Sequence, residues 1–124
     1  MKFLIVDDHK EFREVLKRRL NTSNDEVFEV EETSRIVQVY AQHRPDLVLM
    51  DVRVPPVNSL EATKLLKASY PEAHIIIVTQ YDDNKFIQRA TEVGAEAFVS
   101  KADLSPLFEK IKTNRFSLSQ AKIQ

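Results

Sequence analysis

At 124 residues, with 43% apolar and 30% charged side chains and a formal net charge of −1, the chain has the make-up of one globular domain. That balance excludes a global basic field for gripping nucleic acid, and the absence of cysteine excludes a disulfide framework or a thiolate metal site. No apolar run reaches the length of a membrane span and no signal-peptide pattern follows Met1, so a cytoplasmic protein without a membrane partner is expected.

Short β-rich runs alternate with longer stretches of helical spacing. "KFLIV" is the first strand, closed by Asp7 and Asp8. Phe12, Val15, Leu16 and Leu20 then make an apolar helical stripe, and Asp8 with Glu11 has the form of a capping box. "VFEVE" alternates as an edge strand does, and Ile36, Val37, Tyr40 and Ala41 set a second helix that ends before Pro45. "DLVLM" runs straight into Asp51. Asn58 with Glu61 repeats the capping pattern ahead of Ala62, Leu65 and Leu66, and Pro71 follows that helix. "HIIIV", apolar without alternation, predicts a central strand buried on both faces and leads into Thr79. Phe86, Ile87, Ala90 and Val93 form the fourth helix, stopped at Gly94, the only glycine. "AFVS" ends in Ser100 and Lys101, and Ser105 caps a last helix with Pro106 in its first turn. Residues 1–116 are expected to form the domain, with 117–124 a tail or the start of a linker to an output domain.

Five β-α units in succession predict an α/β fold, a parallel sheet covered by helices on both faces. For five strands the common doubly wound order is 2-1-3-4-5, and ligands bind outside the carboxyl ends of such strands. Neighbouring strands lie about 4.8 Å apart, so Asp8, Asp51, Thr79 and Lys101 would line one rim. Each residue alone has an ordinary explanation: Asp8 a helix cap, Thr79 strand composition, Lys101 a surface charge, Phe98 core. His9, His43 and His74 show no ligand spacing and are read as solvated, and "KRRL" as the exposed face of the first helix. The constellation is another matter. Carboxylates brought together need a cation, and hard oxygen donors favour Mg²⁺. An aspartate beside such an ion, a lysine and a hydroxyl can accept a phosphoryl group.

With these residues at these separations, the chain resembles the receiver domains of two-component response regulators over residues 2–114. "SLEATKLLK" and "YDDNKFIQRATEVGAEAFVSK" are most similar to the branch that often carries a C-terminal helix-turn-helix DNA-binding domain. The resemblance implies a flavodoxin-like fold with five helices. It implies Asp51 as phospho-acceptor and Mg²⁺ (Mn²⁺ as substitute) held by Asp8, Asp51, the backbone carbonyl of Arg53 and, through water, Asp7. Lys101 would pair with the phosphoryl group and Thr79 would hydrogen-bond it. Phe98 would then turn inward and change the surface of helix four, strand five and helix five. Pro55 matches the family's proline, whereas Val54, Pro56, Ser59 and Gln80 depart from its usual residues. Arg53, Gln80 and Tyr81 are placed to tune the lifetime of the phosphoryl group.

The implied function is a phosphoryl-accepting switch, a signalling domain rather than an enzyme, with autocatalytic phosphotransfer and slow self-dephosphorylation. Its partners would be a histidine kinase or phosphotransfer protein and a second copy after phosphorylation, with transcription as the output and no nucleic acid bound by this domain. Three alternatives are weaker. A stand-alone receiver would act on a partner protein. An aspartate-nucleophile phosphatase would need a second aspartate where Arg53 stands, and a flavodoxin-type binder would need a phosphate loop where Asp7 and Asp8 repel one.

Overall fold

The computed structural model describes residues 1–20, 24–51, 59–79 and 84–113. The elements run β1 (Lys2–Val6), α1 (Lys10–Leu20), β2 (Glu26–Val30), a 3₁₀ turn (Thr33–Arg35), α2 (Ile36–His43), β3 (Leu47–Met50), α3 (Ser59–Ser69), β4 (Ile75–Thr79), α4 (Asn84–Glu92), β5 (Ala97–Ser100) and α5 (Ser105–Thr113). All strand pairs are parallel and the order is β2-β1-β3-β4-β5, as the alternation of elements predicts. β3 and β4 are buried at every position, which is what a strand covered on both faces requires, while β2 lies at the edge.

Because side chains alternate along a strand, the sheet divides the core in two. Leu4, Val6, Val48, Met50, Ile75 and Ile77 face α2, α3 and α4, meeting Ile36, Tyr40, Leu66 and Ala90. Phe3, Ile5, Leu49, Ile76 and Val78 face the other way, against Leu16 and Leu20 of α1 and Leu107 of α5. Both helical layers therefore depend on the strand register, in which Leu49 pairs with Ile76 and Ile77 with Phe98.

The helix ends follow backbone chemistry. Gly94 has φ 108°, and a Cβ there would meet Lys67 Cε at 3.0 Å, so the glycine both ends α4 and makes room for its neighbour. Arg44 closes α2 in the left-handed region (φ 49°), with its N–H donated to the Tyr40 carbonyl at 2.7 Å. Its guanidinium lies 4.6 Å from the centre of the Tyr70 ring and 2.9 Å from Glu72, contacts that offset the strain of a non-glycine αL residue.

Several local expectations shift. α1 begins at Lys10, so Asp8 stands outside the helix and does not cap it. α5 begins at Ser105 itself, and its N–H is taken by Asp103 Oδ1 at 3.0 Å. Hydrogen bonds from Ser105 hold the Asp103 carboxyl below its usual range. On α2 the buried residues are Ile36, Val39 and Tyr40, leaving Ala41 exposed. On α3 the buried set is Ser59, Ala62, Thr63 and Leu66, an i, i+3, i+4, i+7 stripe that leaves Leu65 half exposed. The histidines are not simply solvated: His43 stacks on Phe28 with centroids 3.9 Å apart, and His74 Nδ1 lies 2.6 Å from Glu96. Asn58 lies outside the described residues.

Two substitutions test this packing with opposite signs. Leu49→Ala should lower the free energy of urea unfolding by about 2–5 kcal/mol, because it opens a cavity beneath α1 and α5. The Ser59 hydroxyl is fully buried and makes no hydrogen bond among the described residues, so Ser59→Ala should be neutral or raise stability by about 1 kcal/mol.

Candidate functional site

One backbone device repeats at the carboxyl edge of the sheet. Asp7 follows β1, Asp51 follows β3 and Lys101 follows β5, each continuing the ladder by one bond. The Asp7 N–H donates to the Val30 carbonyl at 3.1 Å, the Asp51 N–H to Val6 at 2.9 Å and the Lys101 N–H to Thr79 at 2.7 Å. Each acceptor is the last residue of the neighbouring strand. The functional side chains are thus set on rigid backbone, although none belongs to a strand itself.

Two of the acids are withdrawn from water, Asp7 at 2% and Asp51 at 5% exposure, while Asp8 is exposed. Buried carboxylates need cationic partners. Lys101 supplies one: Nζ lies 2.9 Å from Asp7 Oδ2 and 3.6 Å from Asp51 Oδ2, and 4.2 Å from the centre of the Phe12 ring, which holds the ammonium by a cation–π contact. His9 supplies a second polar partner. Its N–H donates to Asp7 Oδ1 at 2.8 Å, and its Nδ1 lies 3.1 Å from both Asp7 and Asp8 and 3.8 Å from Asp51. One ligand atom from each of Asp7, Asp8, His9 and Asp51 falls within 4.8 Å of the others.

The first turns of α1 brace this cluster from beneath. Arg13 Nη1 donates to the Asp7 carbonyl at 2.7 Å, and its Nε donates to Glu29 Oε1 of β2 at 2.9 Å. Lys17 reaches the same glutamate at 2.8 Å. Burial pushes the Glu29 carboxyl up, but the hydrogen bonds from Lys17 and Arg13 outweigh it and hold the group below its ordinary value; Lys17 is raised in turn by Glu29 and Glu14.

Of the residues singled out in the sequence, Asp7, Asp8, Asp51 and Lys101 meet. Thr79 ends the adjoining strand, fully buried and opposite Ser100. Phe98 stands apart from the acids, half buried on β5, edge-on to Phe86 of α4 at 5.9 Å. Arg53, Val54, Pro55, Pro56, Gln80 and Tyr81 lie outside the described residues. Sequence reasoning missed Phe12, Arg13 and the contacts of His9. The signal lay in adjacency: His9 directly follows the acid pair, and Phe12 and Arg13 stand one helical turn on.

Residues 3–112 match the response regulator receiver domain family. The chain belongs to it. Among relatives, the transcriptional regulatory protein DegU of Brevibacillus brevis is 32% identical over 90% of this chain and 49% of its own length. The chemotaxis protein CheY of Halobacterium salinarum is 31% identical over 83% of this chain and 86% of its own. The crystal structure of a LuxR-family two-component response regulator from Aurantimonas superposes with a TM-score of 0.81 at 25% identity, covering 99% of this chain and 98% of that one. The chain spans about half the length of the curated regulators DegU and NreC that it matches. Receiver domains are signalling domains that bind Mg²⁺ at an acidic pocket, and three carboxylates converging within a few ångströms suit a hard divalent cation here. No helix among the described residues is long and apolar enough to cross a membrane.

Because a cation relieves repulsion that exists only in the folded state, Mg²⁺ should raise the thermal midpoint. At ten times its Kd the gain is about 1.4 kcal/mol. Scanning fluorimetry across a Mg²⁺ series checks this, and Asp51→Asn should flatten the dependence.

Proposed function

We propose that this receiver accepts a phosphoryl group on Asp51 from a phosphohistidine of a histidine kinase or phosphotransfer protein. The observation that carries the reading is a nearly buried carboxylate at the end of a central strand, with an ammonium at 3.6 Å and two further acids beside it. An Asp51 carboxylate oxygen attacks phosphorus, the P–N bond breaks, and the imidazole nitrogen keeps the electron pair and takes up a proton. Mg²⁺ bound by Asp8, Asp51 and the Arg53 carbonyl, with Asp7 through water, would neutralise charge on the equatorial oxygens. Lys101 exchanges its contact with Asp7 for one with the phosphoryl group. Thr79 donates its hydroxyl to a phosphoryl oxygen. Arg53, Gln80 and Tyr81 shield the acyl phosphate from in-line water, so self-dephosphorylation is slow.

Intact-mass analysis with acetyl phosphate tests the acceptor. A single phosphoryl adduct should form with Mg²⁺ or Mn²⁺, vanish in EDTA and in Asp51→Asn, and decay slowly after the donor is removed. Labelling that survives in Asp51→Asn removes the assignment.

The output follows from the same geometry. Drawing Thr79 toward Asp51 frees space beside β4 for the Phe98 ring, and burying more of that ring is worth about 1–2 kcal/mol, comparable to the gap between two states of a switch. The surface of α4, β5 and α5 then changes and favours a homodimer. Residues 1–116 act as the cytoplasmic receiver and 117–124 as a tail or the start of a linker, and regulation of transcription is the output that the name of the DegU relative suggests. A stand-alone receiver acting on a partner protein is the second reading, favoured by the CheY relative, 86% of whose length the chain covers. The length of the native polypeptide separates the two. With beryllium fluoride, amide exchange across residues 84–112 should slow and light scattering should show dimers. Phe98→Ala should lose both responses; if it keeps them, the ring is core and no switch.

A further inference from the structure

The carboxylates are not the only donors converging on the metal pocket. His9 Nδ1 lies 3.1 Å from Asp7 Oδ1, 3.1 Å from Asp8 Oδ1 and 3.8 Å from Asp51 Oδ2. In an octahedral shell with bonds of about 2.1 Å, cis ligand atoms stand about 3.0 Å apart and trans atoms about 4.2 Å. The spacing to Asp8 is therefore that of an octahedral edge and the spacing to Asp51 falls between edge and diagonal, while Asp7, which reaches the ion through water, stands within hydrogen-bond distance of the ring. The imidazole needs no rearrangement of the chain to join the set: the His9 backbone N–H donates to Asp7 Oδ1 at 2.8 Å and so fixes the residue beside the acids, and the ring is more than half exposed, so the opposite nitrogen can keep its proton in solvent.

We propose that His9 is a nitrogen ligand of this pocket and that it biases the site toward Mn²⁺ and later first-row ions over Mg²⁺. The reason is ligand chemistry. Imidazole suits transition metals, whereas Mg²⁺ prefers oxygen throughout, and ions later in the series gain more from nitrogen. The inference rests on the acidic pocket as a metal centre, deepening the phosphoryl-acceptor reading without requiring that phosphorylation occur.

The test uses Mn²⁺ and Mg²⁺ alone, with wild type, His9→Ala and His9→Asn; the asparagine keeps a polar side chain but removes the imidazole. Pulsed electron paramagnetic resonance of the Mn²⁺-loaded wild type should show coupling to an imidazole ¹⁴N, absent from both variants. By titration calorimetry, the ratio of Mg²⁺ to Mn²⁺ dissociation constants should fall about tenfold when His9 is replaced. No coupling in wild type, coupling that persists in His9→Ala, or an unchanged ratio each overturns the proposal. Labelling of wild-type Asp51 with Mg²⁺ is scored separately: its failure removes the acceptor reading, whereas an unmoved ratio with intact labelling removes only the role of His9.

Discussion

Two carboxylates stand almost out of water at the edge of a hydrophobic sheet, and this cost must be met by charge brought from elsewhere in the chain. Asp7 and Asp51 are 2% and 5% exposed, and Asp8 adds a third negative group at their side. Lys101, 94 residues from Asp7 in the chain, answers part of the demand at 2.9 Å. Three converging carboxylates also suit the Mg²⁺ that receiver domains bind at such a pocket. A site built this way holds its acids in mutual repulsion that a bound ion relieves, so binding energy goes into relieving a tension the fold already contains.

That arrangement is possible because the strands hold their register. Asp7, Asp51 and Lys101 are each anchored by a main-chain hydrogen bond to the last residue of a neighbouring strand, and those strands are fixed by the two apolar layers on either side. The lysine also rests on Phe12, and the acid pair on Arg13, so α1 supports the cluster as much as the sheet does. At the other end, the bond from Lys101 N–H to the Thr79 carbonyl joins the two residues expected to meet a phosphoryl group. Phe98, two residues before Ser100, packs toward α4 on the opposite side of the strand from the layer that holds Leu107. A displacement at the rim is thus mechanically close to the α4 face.

The one-residue shift of the helix starts shows where local patterns mislead. Asp8 with Glu11 has the spacing of a capping box, but α1 begins at Lys10, because Asp7 turns the backbone first by taking the His9 N–H. Leu65 has the hydrophobicity of a core residue, but Ser59 and Thr63 take the inward positions of α3. In both places a short-range rule competes with tertiary contacts and loses.

Strand order, edge placement of β2, helix count and the meeting of Asp7, Asp8, Asp51 and Lys101 at one rim were all legible in the sequence, because they follow from the period of apolar residues and from the residue types that close each strand. Gly94 and Pro45 marked helix ends for the same reason: their backbone chemistry acts locally. What Lys101 does at rest, the cation–π seat on Phe12, the brace from Arg13 and the approach of His9 to three carboxylates needed the folded chain. Each is a contact between side chains that point into one volume, and pointing is set by helix phase and strand register together. Sequence spacing fixes which residues end the strands; only the tertiary structure decides how far apart their charges stand, and that distance governs what the site can bind.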